Sequence, residues 1–126
     1  MSKILIIDDD KMICGMYKRL LSYNGYEVEV AFDGKEGFEK AFSSMPDLIL
    51  LDVMMPKMNG LELLSMLKDN SKTKTIPVVL LTNLGINKEL KKAVLKGALG
   101  YVIKSDHDPD ELLKIINGII LNSEHA

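Results

Sequence analysis

Short apolar runs that alternate with stretches of helical periodicity constrain the fold of this chain more than any other feature. Four runs are rich in leucine, isoleucine and valine and lack polar alternation, which is typical of strands buried on both faces of a sheet. They occupy residues 4–7, 48–51, 78–81 and 101–103, and a fifth strand with alternating character occupies residues 26–30. After each strand, apolar residues recur as on one face of a helix. We therefore expect one α/β domain in which a βα unit is repeated five times around a parallel sheet.

Turn-forming and capping residues mark the ends of these segments. They stand at Asn24-Gly25, Asp33, Pro46, Pro56, Asn59-Gly60, Asn87, Gly97 and Pro109. We interpret Asn59-Gly60 as part of a loop, and we expect residues 122–126 to fray at the chain end. The sequence contains no repeat and no linker, so it predicts a single domain over residues 1–126 with no output domain, which is either free-standing or a segment of a longer protein.

The composition excludes several classes of protein. The chain has 126 residues, with 16 basic and 18 acidic side chains and a net charge of −2, which argues against a whole-surface nucleic-acid binder. Its single cysteine, Cys14, rules out an internal disulfide framework and a cysteine-rich zinc module. No apolar run is long enough to span a bilayer, and the acidic triplet at residues 8–10 comes too early for a signal peptide. We expect a cytoplasmic protein that does not insert into membranes.

Polar side chains stand where the predicted strands end. Asp8, Asp9 and Asp10 follow the first strand, and Asp52 follows the third. Thr82 and Lys104 end the fourth and fifth strands. In open parallel sheets, ligands bind outside the carboxyl ends of the strands, so these side chains are expected to converge in one crevice. Each is common at a strand end by itself, as a helix cap or a solvated group, and only their joint placement favours a site.

The residue types in this crevice favour phosphoryl chemistry. Carboxylates crowded into a small space repel each other unless a cation lies among them. Oxygen ligands without a nearby histidine or cysteine favour a hard cation such as Mg²⁺, for which Mn²⁺ can substitute. A lysine and a hydroxyl beside that cation can hold a phosphoryl group while a carboxylate acts as the nucleophile.

On these residues the chain resembles the receiver domains of two-component response regulators. The matching motifs extend over residues 3 to about 121 and are ILIIDDD (4–10), PDLILLDVMMP (46–56), MNG (58–60), PVVLLT (77–82), GALGY (97–101) and VIK (102–104). The resemblance implies a flavodoxin-like, doubly wound fold with helices on both faces and strand order 2-1-3-4-5. It also implies a signalling switch, not a classical enzyme, that catalyses only its own Mg²⁺-dependent phosphorylation and slow dephosphorylation.

The resemblance further implies a role for each site residue. Asp52 is the phosphoacceptor, and it binds Mg²⁺ together with Asp9 and the backbone carbonyl of Met54. Asp8 acts through a metal-bound water. Lys104 pairs with Asp52 and then with the phosphoryl oxygens, and Thr82 forms a hydrogen bond with the phosphoryl group. Tyr101 turns inward together with Thr82. This movement reshapes the face made by the fourth helix, the fifth strand and the fifth helix.

The implied partners are proteins. A sensor histidine kinase or a histidine phosphotransfer protein donates the phosphoryl group, and docking is expected at Met12, Ile13 and Met16 of the first helix and at Ser105. Plain core packing is the alternative for Met12, Ile13 and Met16. A downstream protein of unknown identity receives the signal, and the chain is a monomer or a dimer promoted by phosphorylation.

Two departures from the family pattern leave an alternative open. Ser105 stands where the family usually has a proline in a cis peptide, and a cis bond before serine would cost about 2.5–4 kcal/mol. Asn83 stands where the family has alanine or glycine. The chain could therefore be a pseudo-receiver that binds proteins without phosphorylation. A flavin-binding electron carrier is disfavoured because the loop after the first strand is acidic, and an aspartyl phosphatase because Met54 replaces its second acid.

Overall fold

The computed structural model describes residues 2–55, 58–82, 88–103 and 109–124. Strands and helices alternate in the order β1 (Lys3–Ile7), α1 (Lys11–Tyr23), β2 (Glu27–Ala31), α2 (Gly34–Ser44), β3 (Leu48–Asp52), α3 (Gly60–Asp69), β4 (Val78–Thr82), α4 (Lys88–Leu95), β5 (Gly100–Ile103) and α5 (Pro109–Glu124). The strands form one parallel sheet of order β2-β1-β3-β4-β5. The predicted fold class and strand order are therefore confirmed.

The sheet separates two hydrophobic cores. Alternate side chains of β1 point to opposite faces, so Leu5 and Ile7 join one core while Ile4 and Ile6 join the other. The first core contains apolar residues of α2, α3 and α4, and the second contains those of α1 and α5. Burial on both faces explains why the sequence of the central strands is continuously apolar.

Capping side chains fix where three helices begin. Asp10 accepts hydrogen bonds from the backbone N–H groups of Met12 and Ile13, Asp33 from Glu36, and Asn59 from Glu62. The interpretation of Asn59-Gly60 as part of a loop is correct for Asn59, which lies outside the helix as its N-cap, and wrong for Gly60, which is the first residue of α3. The start predicted at Asn87 lies outside the described residues.

Two features belong to the second half of the chain. Helix α5 continues to Glu124, and the fraying expected of residues 122–126 stays a prediction. The Lys68 ammonium of α3 donates to two carbonyls in the loop before β4, those of Lys74 at 3.1 Å and Ile76 at 2.9 Å. Burial lowers the pKa of Lys68 from its usual 10.5. Among the described residues, no helix is long and apolar enough to cross a membrane.

Candidate functional site

The register of the two central strands brings two aspartates to the same level of the sheet. Ile7 of β1 pairs with Leu51 of β3, so the next residues, Asp8 and Asp52, lie side by side at the carboxyl ends of the two strands. Both are buried, at 0% and 5% exposure. Asp9 is exposed, yet one carboxylate oxygen from each of the three aspartates lies within 4.8 Å of the others. The expected convergence of Asp8, Asp9 and Asp52 is present in the structure.

The third member of the acidic triplet has a different role. Asp10 caps α1, and its Oδ1 accepts from the backbone N–H of Met12 at 3.0 Å and of Ile13 at 3.2 Å. It is not among the aspartates that converge with Asp52. The expectation that Asp10 shares the crevice is therefore wrong. Its position directly before a helical segment was the signal for a cap.

Backbone hydrogen bonds hold the two buried carboxylates in place. The Oδ1 atom of Asp8 accepts from the N–H of Asp10 at 2.9 Å, and the Oδ1 atom of Asp52 accepts from the N–H of Met54 at 3.2 Å. The peptide of Asp8 is fixed as well, because its N–H donates to the carbonyl of Ala31 at 3.0 Å. The thiol of Cys14 donates to the Asp8 carbonyl at 3.2 Å. The carboxylates consequently have defined positions before any ligand binds.

The donor set fits a hard divalent cation. It consists of three carboxylates, two buried and one open to solvent, which leaves a route for an ion to enter. Three negative charges within this distance destabilise one another, and a cation relieves the repulsion. Carboxylate oxygen is the ligand that Mg²⁺ and Mn²⁺ prefer. Met54 is 60% exposed, and its backbone N–H lies 3.2 Å from Oδ1 of Asp52.

The hydroxyl and aromatic residues implied by the resemblance lie on the neighbouring strands. Thr82 ends β4, is 1% exposed, and pairs in register with Ile103 of β5. Tyr101 is half-buried and packs against the core that α2, α3 and α4 share. Lys104, Ser105 and Asn83 lie outside the described residues.

The residues expected to dock a phosphodonor begin helix α1, immediately after the acidic triplet. Met12 is 81% exposed and is therefore not a core residue, whereas Met16, at 37% exposure, is largely covered and presents only part of its side chain to solvent. Ile13 is half-buried and packs against the core beneath α1 and α5. The structure thus leaves Met12 and part of Met16 open to a partner beside the site and commits Ile13 largely to packing.

Gly60 is part of the site in a way that the sequence did not indicate. Its N–H donates to the carbonyl of Val53 at 3.0 Å. A Cβ built on Gly60 would lie 2.3 Å from the carbonyl oxygen of Asp52 and 2.9 Å from the Cα of Val53. The start of α3 is therefore in direct backbone contact with the end of the strand that carries Asp52. Gly60 stands in the MNG motif at residues 58–60, but only this contact shows why the position requires a glycine.

A known protein family matches most of this chain. The family described as the response regulator receiver domain matches residues 4–117. The chain belongs to the response regulator receiver domain family. Receiver domains serve two-component signalling, so the chain is a signalling domain and not a classical enzyme.

Curated relatives and solved structures agree with this assignment. The response regulator ArlR of Staphylococcus saprophyticus is 35% identical over 95% of this chain and 53% of its own length. The transcriptional regulatory protein CpxR of Escherichia coli is 38% identical over 98% of this chain and 51% of its own length. The chain spans about half the length of these relatives.

Solved structures superpose over nearly the whole chain. The chemotaxis protein CheY4 of Vibrio cholerae has a TM-score of 0.88 and 34% identity, covering 94% of this chain and 98% of its own. A CheY-like receiver domain protein of Methanospirillum hungatei has a TM-score of 0.91 and 30% identity, covering 99% of this chain and 98% of its own.

Proposed function

We propose that this receiver domain is a phosphorylation-dependent switch that accepts a phosphoryl group on Asp52. The observation that carries the proposal is the position of Asp52, which ends the central strand β3, is buried, and lies within 4.8 Å of two further carboxylates. Asp8, Asp9 and Asp52, with the backbone carbonyl of Met54, would hold Mg²⁺ or Mn²⁺. The bound cation would supply positive charge to neutralise phosphoryl oxygens during transfer.

The chain's own residues then have distinct tasks. A carboxylate oxygen of Asp52 attacks the phosphorus of a phosphohistidine, the P–O bond forms, and the P–N bond breaks. The electron pair of the broken bond remains on the imidazole, which takes up a proton. The Met54 N–H, 3.2 Å from Oδ1, orients the carboxylate so that its other oxygen can react. Lys104 and Thr82 are assigned to the phosphoryl oxygens by resemblance, and Thr82 is buried at the neighbouring strand end.

The proposed partners follow from the family. A sensor histidine kinase or a histidine phosphotransfer protein would donate the phosphoryl group at the exposed methionines Met12 and Met16. Tyr101 and the surface made by α4, β5 and α5 would carry the signal to a downstream protein or to a second receiver.

The experiment is phosphorylation by acetyl phosphate in the presence of Mg²⁺, followed by intact mass. One phosphoryl group should be added to the parent protein and none to Asp52→Asn. Asp10→Asn is the matched control, because Asp10 directly follows Asp8 and Asp9 in the sequence but caps α1. Asparagine also caps helices well. That variant should accept the phosphoryl group.

The outcomes separate the two functional classes. A mass gain that persists in Asp52→Asn would mean that another carboxylate is the acceptor. No gain in the folded parent, with either acetyl phosphate or a histidine phosphodonor, would support the pseudo-receiver that acts only by binding proteins.

A further inference from the structure

We infer that Gly60 is a positioning residue for the phosphoacceptor site, an inference that rests on the proposed function of Asp52. The start of helix α3 lies so close to the end of β3 that a Cβ on Gly60 would be 2.3 Å from the carbonyl oxygen of Asp52. It would also be 2.9 Å from the Cα of Val53 and 3.0 Å from the carbonyl carbon of Asp52. All three are backbone atoms, so no flexible side chain can move aside.

The close approach fixes the loop that leaves Asp52. The Gly60 N–H donates to the Val53 carbonyl at 3.0 Å and closes this loop onto the strand end. Met54, whose carbonyl is the proposed metal ligand, lies inside the closed segment, and its N–H holds the Asp52 carboxylate. The distance between Gly60 and Asp52 therefore sets where both the carboxylate and the Met54 peptide lie.

Neither side of the contact can yield easily. On one side, the Val53 N–H donates to the Leu81 carbonyl at 3.0 Å, which ties the end of β3 to β4. On the other, Asn59 caps α3 through the Glu62 N–H at 2.9 Å, and Leu63 is fully buried one turn later. An added methyl group must separate the two backbones by about 0.7 Å to bring the 2.3 Å distance to 3.0 Å, and by about 1.1 Å to restore an ordinary contact of 3.4 Å. That exceeds the roughly 0.5 Å within which functional groups must be held.

Other glycines of the chain provide the contrast. A Cβ on Gly34 would meet the Met58 side chain, with the flexible sulfur nearest at 2.7 Å. A Cβ on Gly118 of α5 would meet nothing within 4 Å. Gly60 is thus required by its distance from Asp52, and its role is not a general need for glycine in a loop.

The test is the Mg²⁺ affinity of the folded protein, measured by titration calorimetry with the metal alone. Gly60→Ala should weaken Mg²⁺ binding by about tenfold to a hundredfold, the usual loss when a group that orients metal ligands is disturbed. Phosphorylation by acetyl phosphate should slow in parallel. Gly118→Ala is the matched control and should bind Mg²⁺ like the parent.

A second control separates positioning from loss of stability. Leu67→Ala opens a cavity in the core on the same helix and should lower the free energy of unfolding by about 2–5 kcal/mol. Under conditions where this variant is folded, its Mg²⁺ affinity should equal that of the parent. If Gly60→Ala does not fold, Asn59→Ala loosens the start of α3 without adding atoms at the contact, and it should weaken Mg²⁺ binding by a smaller factor.

The possible failures are distinguishable. If the parent itself neither binds Mg²⁺ nor accepts a phosphoryl group, the proposed function fails. If the parent does both and Gly60→Ala does them equally well, the positioning role of Gly60 is refuted. The same conclusion follows if Leu67→Ala, while folded, loses as much Mg²⁺ affinity as Gly60→Ala.

Discussion

Replacing Asp8 with asparagine should make the metal-free protein more stable. Asp8 is fully buried beside Asp52, and the exposed Asp9 completes the cluster. The change removes one negative charge and keeps an oxygen that can accept the Asp10 N–H, now 2.9 Å from Oδ1. Ordinary buried polar substitutions destabilise a protein, so a gain in stability would be diagnostic of carboxylate repulsion.

The size of the gain follows from the distances. Two unit charges 4.8 Å apart repel by about 3.5 kcal/mol at an effective dielectric constant of ~20. Asp9 is solvated, so the buried Asp8–Asp52 pair contributes most of the repulsion. A hydrogen bond to a carboxylate is stronger than one to an amide by about 1 kcal/mol, and this loss offsets part of the gain. We expect a net gain of about 2–3 kcal/mol in the free energy of unfolding.

Mg²⁺ should reduce the difference in free energy of unfolding between Asp8→Asn and the parent. At a hundredfold excess over its dissociation constant, the metal stabilises the parent by about 2.7 kcal/mol. Asparagine contributes no charge to the site, so the variant should bind Mg²⁺ more weakly. Each tenfold loss of affinity removes about 1.4 kcal/mol of the metal's contribution. The advantage of Asp8→Asn in chelator should therefore narrow or reverse in saturating Mg²⁺.

Urea unfolding in chelator measures the gain in stability without metal, and urea unfolding in saturating Mg²⁺ measures how far the metal reduces it. Asp47→Asn is the matched control, because Asp47 also accepts a backbone N–H, that of Lys3 at 2.8 Å, but precedes β3 and so lies at the opposite edge of the parallel sheet from Asp8. Its effect should not depend on Mg²⁺. If Asp8→Asn is less stable than the parent in chelator, the reasoning from repulsion is wrong.

Three further predictions concern single sites. Gly15→Ala and Gly118→Ala should each raise the free energy of unfolding by about 0.5–1 kcal/mol, since both lie inside helices and a Cβ there meets nothing within 4 Å; an unchanged urea midpoint would contradict this. Burial lowers the pKa of Lys68 below 10.5, so the unfolded chain binds more protons between the lowered value and 10.5. The stability of the parent relative to Lys68→Met should therefore increase as pH rises through that window, and a decrease would refute the desolvation argument. Met54→Asn should speed loss of the phosphoryl group by about tenfold, or ~1.4 kcal/mol of barrier, because a polar side chain there can orient the attacking water; phosphate release after removal of donor should show it, and an equally fast parent would contradict it.

Much of the fold could be predicted because hydrophobic burial dominates the central strands. Residues 4–7 and 48–51 are each no more than 1% exposed, and only apolar side chains are stable there. Because a helical segment separates each strand from the next, few arrangements of the strands in a parallel sheet are possible. The helix ends were less predictable, because Asn59 suits a turn and a cap equally well. Which of the two it forms depends on whether the next backbone N–H groups need an acceptor.

The candidate site was predictable only to the level of strand ends. Asp8 and Asp52 could be assigned to one crevice, since carboxyl ends of neighbouring parallel strands meet at one edge. The separate role of Asp10 depends on where α1 begins. The apolar pattern of the sequence defines that start only to within a residue or two. The contact of Gly60 with Asp52 depends on a close approach between segments eight positions apart, and no periodicity records such a distance.

The two-residue period of the strands explains how the site can communicate with one side of the sheet. Asp52 continues the alternation of Leu48 and Leu50, which face the core beneath α1 and α5. Thr82 instead continues the alternation of Val78 and Leu80, which face the core shared by α2, α3 and α4, and Tyr101 packs against that same core. The proposed coupling of Thr82 to Tyr101 therefore runs along the face that α4 covers, whereas the exposed methionines of α1 lie beyond the opposite face. A one-residue slip of β4 would move Thr82 to the other side, so the apolar pattern that fixes this register also separates the surface for the donor from the surface for the signal.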